Sequence, residues 1–502
     1  TAGARRIYLE AMVDYNRTFG RHDVNAMLLY NQDELVNNVP GNNLINSLPK
    51  RKQGLAGRLS YAYDGKYMAE VNMGYNGSEN FAKGHRWGFF PSIALGYNIS
   101  EESLFEPLRK VITSMKLRGS WGLVGNDQIG GERFIYMPTI NLSGKGFTTG
   151  IDQNYGLSGP VYTRYENNSI TWEVGEKINL GIDLQLLNSL NIVVDIFRET
   201  RRDIFQKKGT IPTYLGTGNT DVFGNLAEMK NQGLDLSIDY NKAFSKDFYM
   251  NFKGTFTYAH NEITKYDEAP KYAFQSKVGQ SANVSQGYLS NGLFLDEAEI
   301  DRYNQQMGST LGAGDIKYLN VSNMHGYGDD IVDVDDWTWI GNPTVPEIVY
   351  GFGPSFKYKN WDFSFFFQGV AKTSLFMSGF HPFGDNSLRN VLQFVANDRW
   401  SPTNQNVDAK YPRLTRKTSL NNTNPGNSGR TSDYWMRDGS FLKLKNMELG
   451  YTFKRMRFYI SGSNLLTFSK FDLWDPEQGG GSGLKYPTQR VFNVGFQMTF
   501  NN

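Results

Sequence analysis

Apolar and polar side chains alternate along this chain in segments of about ten residues. From Leu55 to Tyr63 every second residue (Leu55, Gly57, Leu59, Tyr61, Tyr63) forms one face, while Arg58, Ser60 and Asp64 fall on the other. After Asp64-Gly65-Lys66 the alternation resumes as Tyr67, Ala69, Val71, Met73 and Tyr75 against Glu70, Asn72 and Asn76. A favoured turn dipeptide between two such runs predicts a β-hairpin.

The same grammar predicts strands along the whole chain. An opening pair is read at Ile7–Tyr15 and Val24–Tyr30, and a further strand at Phe89–Ile99 is joined by a partly helical connection to Lys116–Val124. The cleanest hairpin sets Ile178, Leu180, Ile182, Leu184 and Leu186 against Leu190, Ile192, Val194 and Ile196; one register slip would invert both faces. Leu234–Tyr240 pairs with Phe248–Tyr258, Ile348–Tyr358 with Trp361–Phe367, and Phe441–Phe453 with Met456–Gly462. Val491–Phe500 is the last strand. Within Leu442–Phe453 the apolar phase switches from Leu442 and Leu444 to Met447, Leu449, Tyr451 and Phe453, which predicts a bulge.

About fifteen strands result. Tight turns join each odd strand to the next even one, and long loops cover about 31–53, 125–172, 200–230, 259–346, 372–440 and 463–489. Ten-residue alternating segments with short turns on one side and long loops on the other are the signature of a transmembrane β-barrel. With the short turns on the periplasmic side, an odd number of strands cannot bring both termini there. The expectation is therefore about 15 strands of a larger barrel, with an odd number of preceding strands outside this chain; seven would give 22, the size of plugged outer-membrane transporters.

Composition supports the barrel. Of 502 residues 34 are Phe, 29 Tyr and 9 Trp, glycine numbers 53, and no run approaches the roughly 18 apolar residues of a spanning helix. A mean hydropathy of −0.50 does not oppose a membrane location, because a barrel needs an apolar residue only at alternate positions. The 52 basic and 50 acidic residues are evenly spread, so no nucleic-acid footprint is visible. Cysteine is absent, and His22, His85, His260, His325 and His381 form no pair at metal-ligand spacing.

A soluble β-sandwich also alternates, but soluble strands average roughly five to six residues, short of the nine to eleven repeated here. Tyr15, Tyr30, Tyr63, Tyr75, Tyr240 and Tyr258 bracket the segments as interface girdles do. Phe492, Val494, Phe496, Met498 and Phe500 share one phase of the last strand and resemble the C-terminal assembly signal of bacterial outer-membrane barrels.

Several ordered stretches carry a family resemblance. They include Asp64-Gly65-Lys66-Tyr67, Phe89-Phe90-Pro91-Ser92, Lys116-Leu117-Arg118-Gly119-Ser120-Trp121-Gly122 and Asn179-Leu180-Gly181-Ile182-Asp183. Further on come Gly314-Asp315-Ile316-Lys317-Tyr318, Ile340-Gly341-Asn342-Pro343, Asp398-Arg399-Trp400-Ser401-Pro402, Gly439-Ser440-Phe441-Leu442-Lys443-Leu444-Lys445-Asn446 and Asp475-Pro476-Glu477. Together they resemble the SusC/RagA-type TonB-dependent outer-membrane transporters of Bacteroidetes, over nearly the whole chain. The resemblance implies a 22-stranded barrel in the bacterial outer membrane, whose N-terminal plug and first strands lie outside this chain. It also implies a SusD-like surface lipoprotein as partner, the TonB complex acting through the N-terminal region, surrounding lipid, and a glycan or peptide substrate. No cofactor is implied.

Candidate sites are few. The segment His325–Asp336 sits where relatives carry a calcium-loop-like run, but its first, third and fifth positions read His325, Tyr327 and Asp329, with Asp330 where the turn glycine belongs. A solvated acidic loop is the better reading, and Asp329, Asp333 and Asp335 remain metal candidates. Trp400 and Trp435 are candidates for stacking on a sugar or peptide, or for packing loops together. Gly479-Gly480-Gly481-Ser482-Gly483 lacks the strand-to-helix setting of a phosphate loop and reads as flexible. No Ser/His/Asp or Cys/His constellation suggests an enzyme. TonB-dependent import is the first functional expectation. The alternatives are a passive porin and a structural or adhesive outer-membrane barrel.

Overall fold

The computed structural model describes residues 3–37, 48–130, 132–212, 214, 221–303, 305–306, 311–327, 329–380, 382–383, 389–416, 422 and 431–500. His381 lies outside them. Fifteen strands form one antiparallel sheet in which sequence neighbours are spatial neighbours. They are β1 (Ala4–Phe19), β2 (His22–Asn37), β3 (Lys50–Tyr63), β4 (Tyr67–Ser78), β5 (Trp87–Asn98), β6 (Ile112–Asn126), β7 (Glu173–Leu186), β8 (Leu190–Lys207), β9 (Phe223–Ala243), β10 (Phe248–Lys265), β11 (Ile348–Tyr358), β12 (Trp361–Ala371), β13 (Phe441–Phe453), β14 (Met456–Ser469) and β15 (Val491–Met498). The chain divides into two compact units, 1–235 with 261–269, and 236–260 with 270–502.

In the first unit, ladder register lines up Tyr15, Ala26, Leu59, Val71, Ile93, Trp121 and Ile178 in one row across seven strands. All but Ala26 are large apolar residues at least 37% exposed. One position along, the other face reads Asn16, Asn25, Ser60, Glu70, Ala94, Ser120 and Asn179. A continuous apolar row left open on one face, with a polar row on the other, is the inverse of a water-soluble sheet and suits a lipid-facing wall around a polar interior.

Beside the short turns a second outward row reads Phe19, His22, Tyr63, Tyr67 and Tyr97, with the last two rings stacked at 5.2 Å. The second unit repeats it as Phe248, Tyr358, Trp361, Tyr451, Phe458 and Phe496. In each unit the Tyr and Trp side chains of this row form an aromatic belt at a membrane interface, where such a ring buries its body and keeps its polar edge wet. On β2, Tyr30 lies eight residues beyond His22, about 27 Å of strand, enough to cross the hydrocarbon at a tilt. Among the described residues no helix is long and apolar enough to cross a membrane.

Strands overrun the expected loop borders. β2 continues to Asn37, β3 begins at Lys50, β8 reaches Lys207, β9 begins at Phe223, β10 reaches Lys265 and β14 reaches Ser469. Apolar alternation marks only the lipid-facing span. Beyond it the ladder continues on polar cross-strand pairs such as Arg6 with Asp33 (2.7 Å) and Arg51 with Glu34 (2.7 Å). The 125–172 loop also holds its own two-stranded ribbon, Thr139–Thr149 with Tyr155–Arg164. The bulge read from the phase switch sits on β13, where register shifts between Leu444 and Asn446 on the β14 side and opposite Phe366/Phe367 of β12 on the other.

Candidate functional site

The polar face of the wall is built from ion pairs that reach over intervening strands. In the first unit Arg118 of β6 and Asp195 of β8 are both register partners of Gly181 on β7, and the guanidinium meets Asp195 at 3.0 Å while also holding Asp183 at 2.8 Å. A Cβ at Gly181 would lie 2.5 Å from Asp195 Oδ1 and 2.8 Å from Arg118 Nη2, so only glycine leaves the crossing open. The second unit uses the same device: Arg457 of β14 pairs with Asp362 of β12 past Gly450 of β13, and with Glu448 at 2.5 Å.

The long loops of the second unit fold around a core of their own. Tyr288, Leu293, Ile316 and Tyr318 from the 266–347 loop, Met377, Phe383, Trp400, Tyr411 and Trp435 from the 372–440 loop, and Phe471 from the segment after β14 pack together. Trp435 is fully buried, with Phe383 edge-on at 5.2 Å and Tyr434 at 5.7 Å. Burial pushes the Tyr434 hydroxyl far above its ordinary value and the Tyr411 hydroxyl up to about 12. Asp315, fully buried, ties two loops: it accepts from Arg413 Nε at 2.5 Å and Nη2 at 3.0 Å, from Asn422 Nδ2 at 2.7 Å and from the Gly312 amide at 3.0 Å. A smaller core of Phe81, Ile129, Ile135, Ile170 and Trp172 anchors the loops of the first unit.

The segment after β14 is fixed to the wall by Lys443 of β13. This ammonium is 1% exposed and bonds Asp475 and Glu477, the latter at 2.7 Å, while Lys445 adds a bond to Glu477 at 2.8 Å. Burial pushes both carboxyls up, but the bonds from the lysines outweigh it, and both sit below their ordinary values.

The candidate residues fall as follows. Trp400, 5% exposed, and Trp435 lie inside the loop core, so neither presents a face to a ligand. Asp329 accepts from Ser322 Oγ, Asn320 Nδ2 and the Ile331 amide, Asp333 caps the turn Val334–Asp336, and Asp335 pairs with Lys271. The acidic run is thus an internally bonded loop; the buried Asp336, which accepts from the Ser322 and Asp333 amides, is the central acceptor that spacing did not single out. Among the described residues no three His, Cys, Asp or Glu side chains converge to hold a metal ion.

The glycine-rich segment differs from its reading as a flexible loop. Gly481 donates to the Phe376 carbonyl at 2.8 Å and accepts from the Ser378 amide at 2.9 Å. A Cβ at Gly480 would stand 2.5 Å from the Phe376 carbonyl oxygen, so lack of a side chain permits the close approach rather than mobility. Phe492, Val494, Phe496 and Met498 share one face of β15 and, with Phe500 just beyond it, are 43–88% exposed; Phe496 meets Phe458 at 5.1 Å.

Comparison with known proteins agrees with this wall. Residues 2–465 match the family described as TonB dependent receptor-like, beta-barrel. The TonB-dependent receptor P3 of Formosa agariphila is 26% identical over 481 residues, covering 88% of this chain and 45% of that protein. The TonB-dependent receptor SusC of Bacteroides thetaiotaomicron is 27% identical over 471 residues, covering 88% of this chain and 43% of that protein. The chain therefore spans somewhat under half the length of these curated relatives. The solved RagAB peptide transporter superposes with a TM-score of 0.71 at 20% identity, over 99% of this chain and 56% of that one. With a lipid-facing apolar row, an aromatic belt and a polar inner wall matching a family model over most of its length, this chain belongs to the TonB-dependent receptor-like β-barrel family of the outer membrane.

Proposed function

We propose that the protein to which this wall belongs imports a large nutrient, an oligosaccharide or oligopeptide, across the bacterial outer membrane, powered by TonB and in partnership with a SusD-like surface lipoprotein. The observation that carries the reading is the folded loop core: loops with a buried aromatic centre and a fully buried Asp315 tie pack into a defined surface at the end of the wall opposite the short turns. A passive pore needs no surface shaped for a partner there. A capture surface shared with a second protein needs a shaped one. We further assign Phe492, Val494, Phe496, Met498 and Phe500 to barrel assembly, since an apolar strand face this open has only lipid or the assembly machinery to meet.

The test is growth of a deletion strain on defined glycans and peptides, complemented by the intact gene with and without a functional TonB and with and without a SusD-like lipoprotein. Import requires both. Uptake that persists without TonB would establish the passive porin instead.

A further inference from the structure

On the outward face of β8 the apolar phase ends in arginine. Leu190, Ile192, Val194 and Ile196 share the lipid-facing phase, and the next residues in it are Arg198, Thr200 and Arg202. Arg198 lies in register with Ile178 of β7, itself in register with the outward Trp121 of β6. It stands eight residues beyond Leu190, about 27 Å of strand, the same span that separates Tyr30 from His22. A tilted strand of that length brings Arg198 to the outer boundary of the hydrocarbon, at the end away from the short turns.

The charge there is uncompensated. Elsewhere on this face the arginines beyond the apolar span have a carboxylate: Arg51 and Arg5 share Glu34, at 2.7 and 3.7 Å. Arg202 bonds Glu176 at 3.1 Å, and the same carboxylate accepts from Trp121 Nε1 at 2.9 Å. Arg198 is exposed, and among the described residues neither a carboxylate nor any other acceptor engages its side chain. The Thr200 hydroxyl between the two arginines is likewise unengaged among the described residues. Two guanidiniums against one carboxylate leave a net positive edge where lipid chains meet their headgroups. An unpaired cation at the hydrocarbon edge is costly, and an anion supplied by the lipid removes that cost.

We infer that Arg198, Thr200 and Arg202 form a binding site for the phosphate of a phosphorylated glycolipid, lipid A, in the outer leaflet. A guanidinium fork matches two phosphate oxygens. The two arginines are four residues apart on one face, roughly 13 Å of strand, so their long side chains can converge on one phosphate over Thr200, whose hydroxyl donates to it. Leu180 and Ile196, 63% and 60% exposed, offer acyl chains a surface beneath it. A site at the end opposite the short turns meets the outer leaflet, whose charged lipid is the glycolipid. Such a site exists whatever the barrel imports.

The test is native mass spectrometry of the intact transporter, delipidated in detergent and titrated with phosphorylated lipid A, the same lipid with its phosphate removed, phosphatidylglycerol, and inorganic phosphate. Phosphorylated lipid A occupies one site that the other three leave empty at equal concentration. Arg198→Gln and Arg202→Gln each lower that occupancy fivefold or more, while Lys177→Gln, which alters the Lys177–Glu199 pair on the inner face of the same strands, leaves it unchanged. Arg198 has no partner to lose, so its variant stays decisive even where Arg202→Gln fails to fold. Equal occupancy by the dephosphorylated lipid, as an arginine merely reaching for water would give, overturns the inference. So does full occupancy after Arg198→Gln, a preference for phosphatidylglycerol, or equal binding of inorganic phosphate.

Discussion

Arg118 and Asp195 meet at 3.0 Å although a whole strand separates them, because Gly181 on that strand has no side chain to stand between. Three strands are thereby cross-linked on the wet face of a wall whose other face is apolar. Gly181→Val forces the two charges apart and overpacks the crossing, at a cost of about 1–3 kcal/mol. The check is the denaturant midpoint of the folded barrel followed by heat-modifiable gel mobility. Asp195→Asn, which keeps the shape, is expected to lose less than half as much.

Lys443 fixes the segment after β14, and its two carboxylates set the pH dependence. Since Asp475 and Glu477 titrate lower folded than unfolded, their contribution is fully present above the unfolded values near 4 and is lost as pH falls through the folded ones. Protease susceptibility of 470–490 is therefore flat from pH 8 to 5 and rises below about pH 4. Lys443→Met leaves Asp475 without its lysine, and the segment becomes cleavable at neutral pH.

Asp315 joins the 266–347 and 372–440 loops, and its loss leaves the half-buried Arg413 without its carboxylate. Asp315→Ala is expected to destabilise the loop core by about 3–5 kcal/mol, the range for breaking one side of a buried pair. Trp435→Ala, which empties the centre of the same core, costs about 3–5 kcal/mol as well. Hydrogen exchange resolves both, because amides of residues 288–303, 311–318, 375–380 and 389–411 lose protection while those of β3 to β5 keep theirs.

The acidic run around Asp329 is held by its own hydrogen bonds. Millimolar calcium or a chelator is expected to leave proteolysis of 320–336 unchanged, whereas Asp336→Ala strips two amides of their acceptor and costs about 1–3 kcal/mol for each left unsatisfied. Calcium-dependent protection of this loop would restore Asp329, Asp333 and Asp335 as ligands.

The membrane wall was legible in the sequence because lipid imposes one rule on every strand: each second residue is apolar. That rule gave the fifteen strands, the inward and outward faces, and even the bulge beside Lys445, where the phase of Leu444 and Met447 cannot be reconciled on one ladder. It says nothing where lipid ends. Strand ends at Asn37, Lys207 and Lys265 continue on polar pairs that carry no periodicity.

The loops obey no period at all. Trp435 and Trp400 look like binding residues in isolation and become core only when segments far apart in the sequence close over them, as the 98-residue separation of Asp315 and Arg413 also shows. Gly480 reads as part of a flexible loop, yet it and Gly181 are each where another group must pass within van der Waals reach. The one-dimensional pattern determined which face of each strand meets lipid, since that depends on neighbours two residues away. Which charges pair and which rings are hidden depend on contacts between distant segments, and only the tertiary structure decides those.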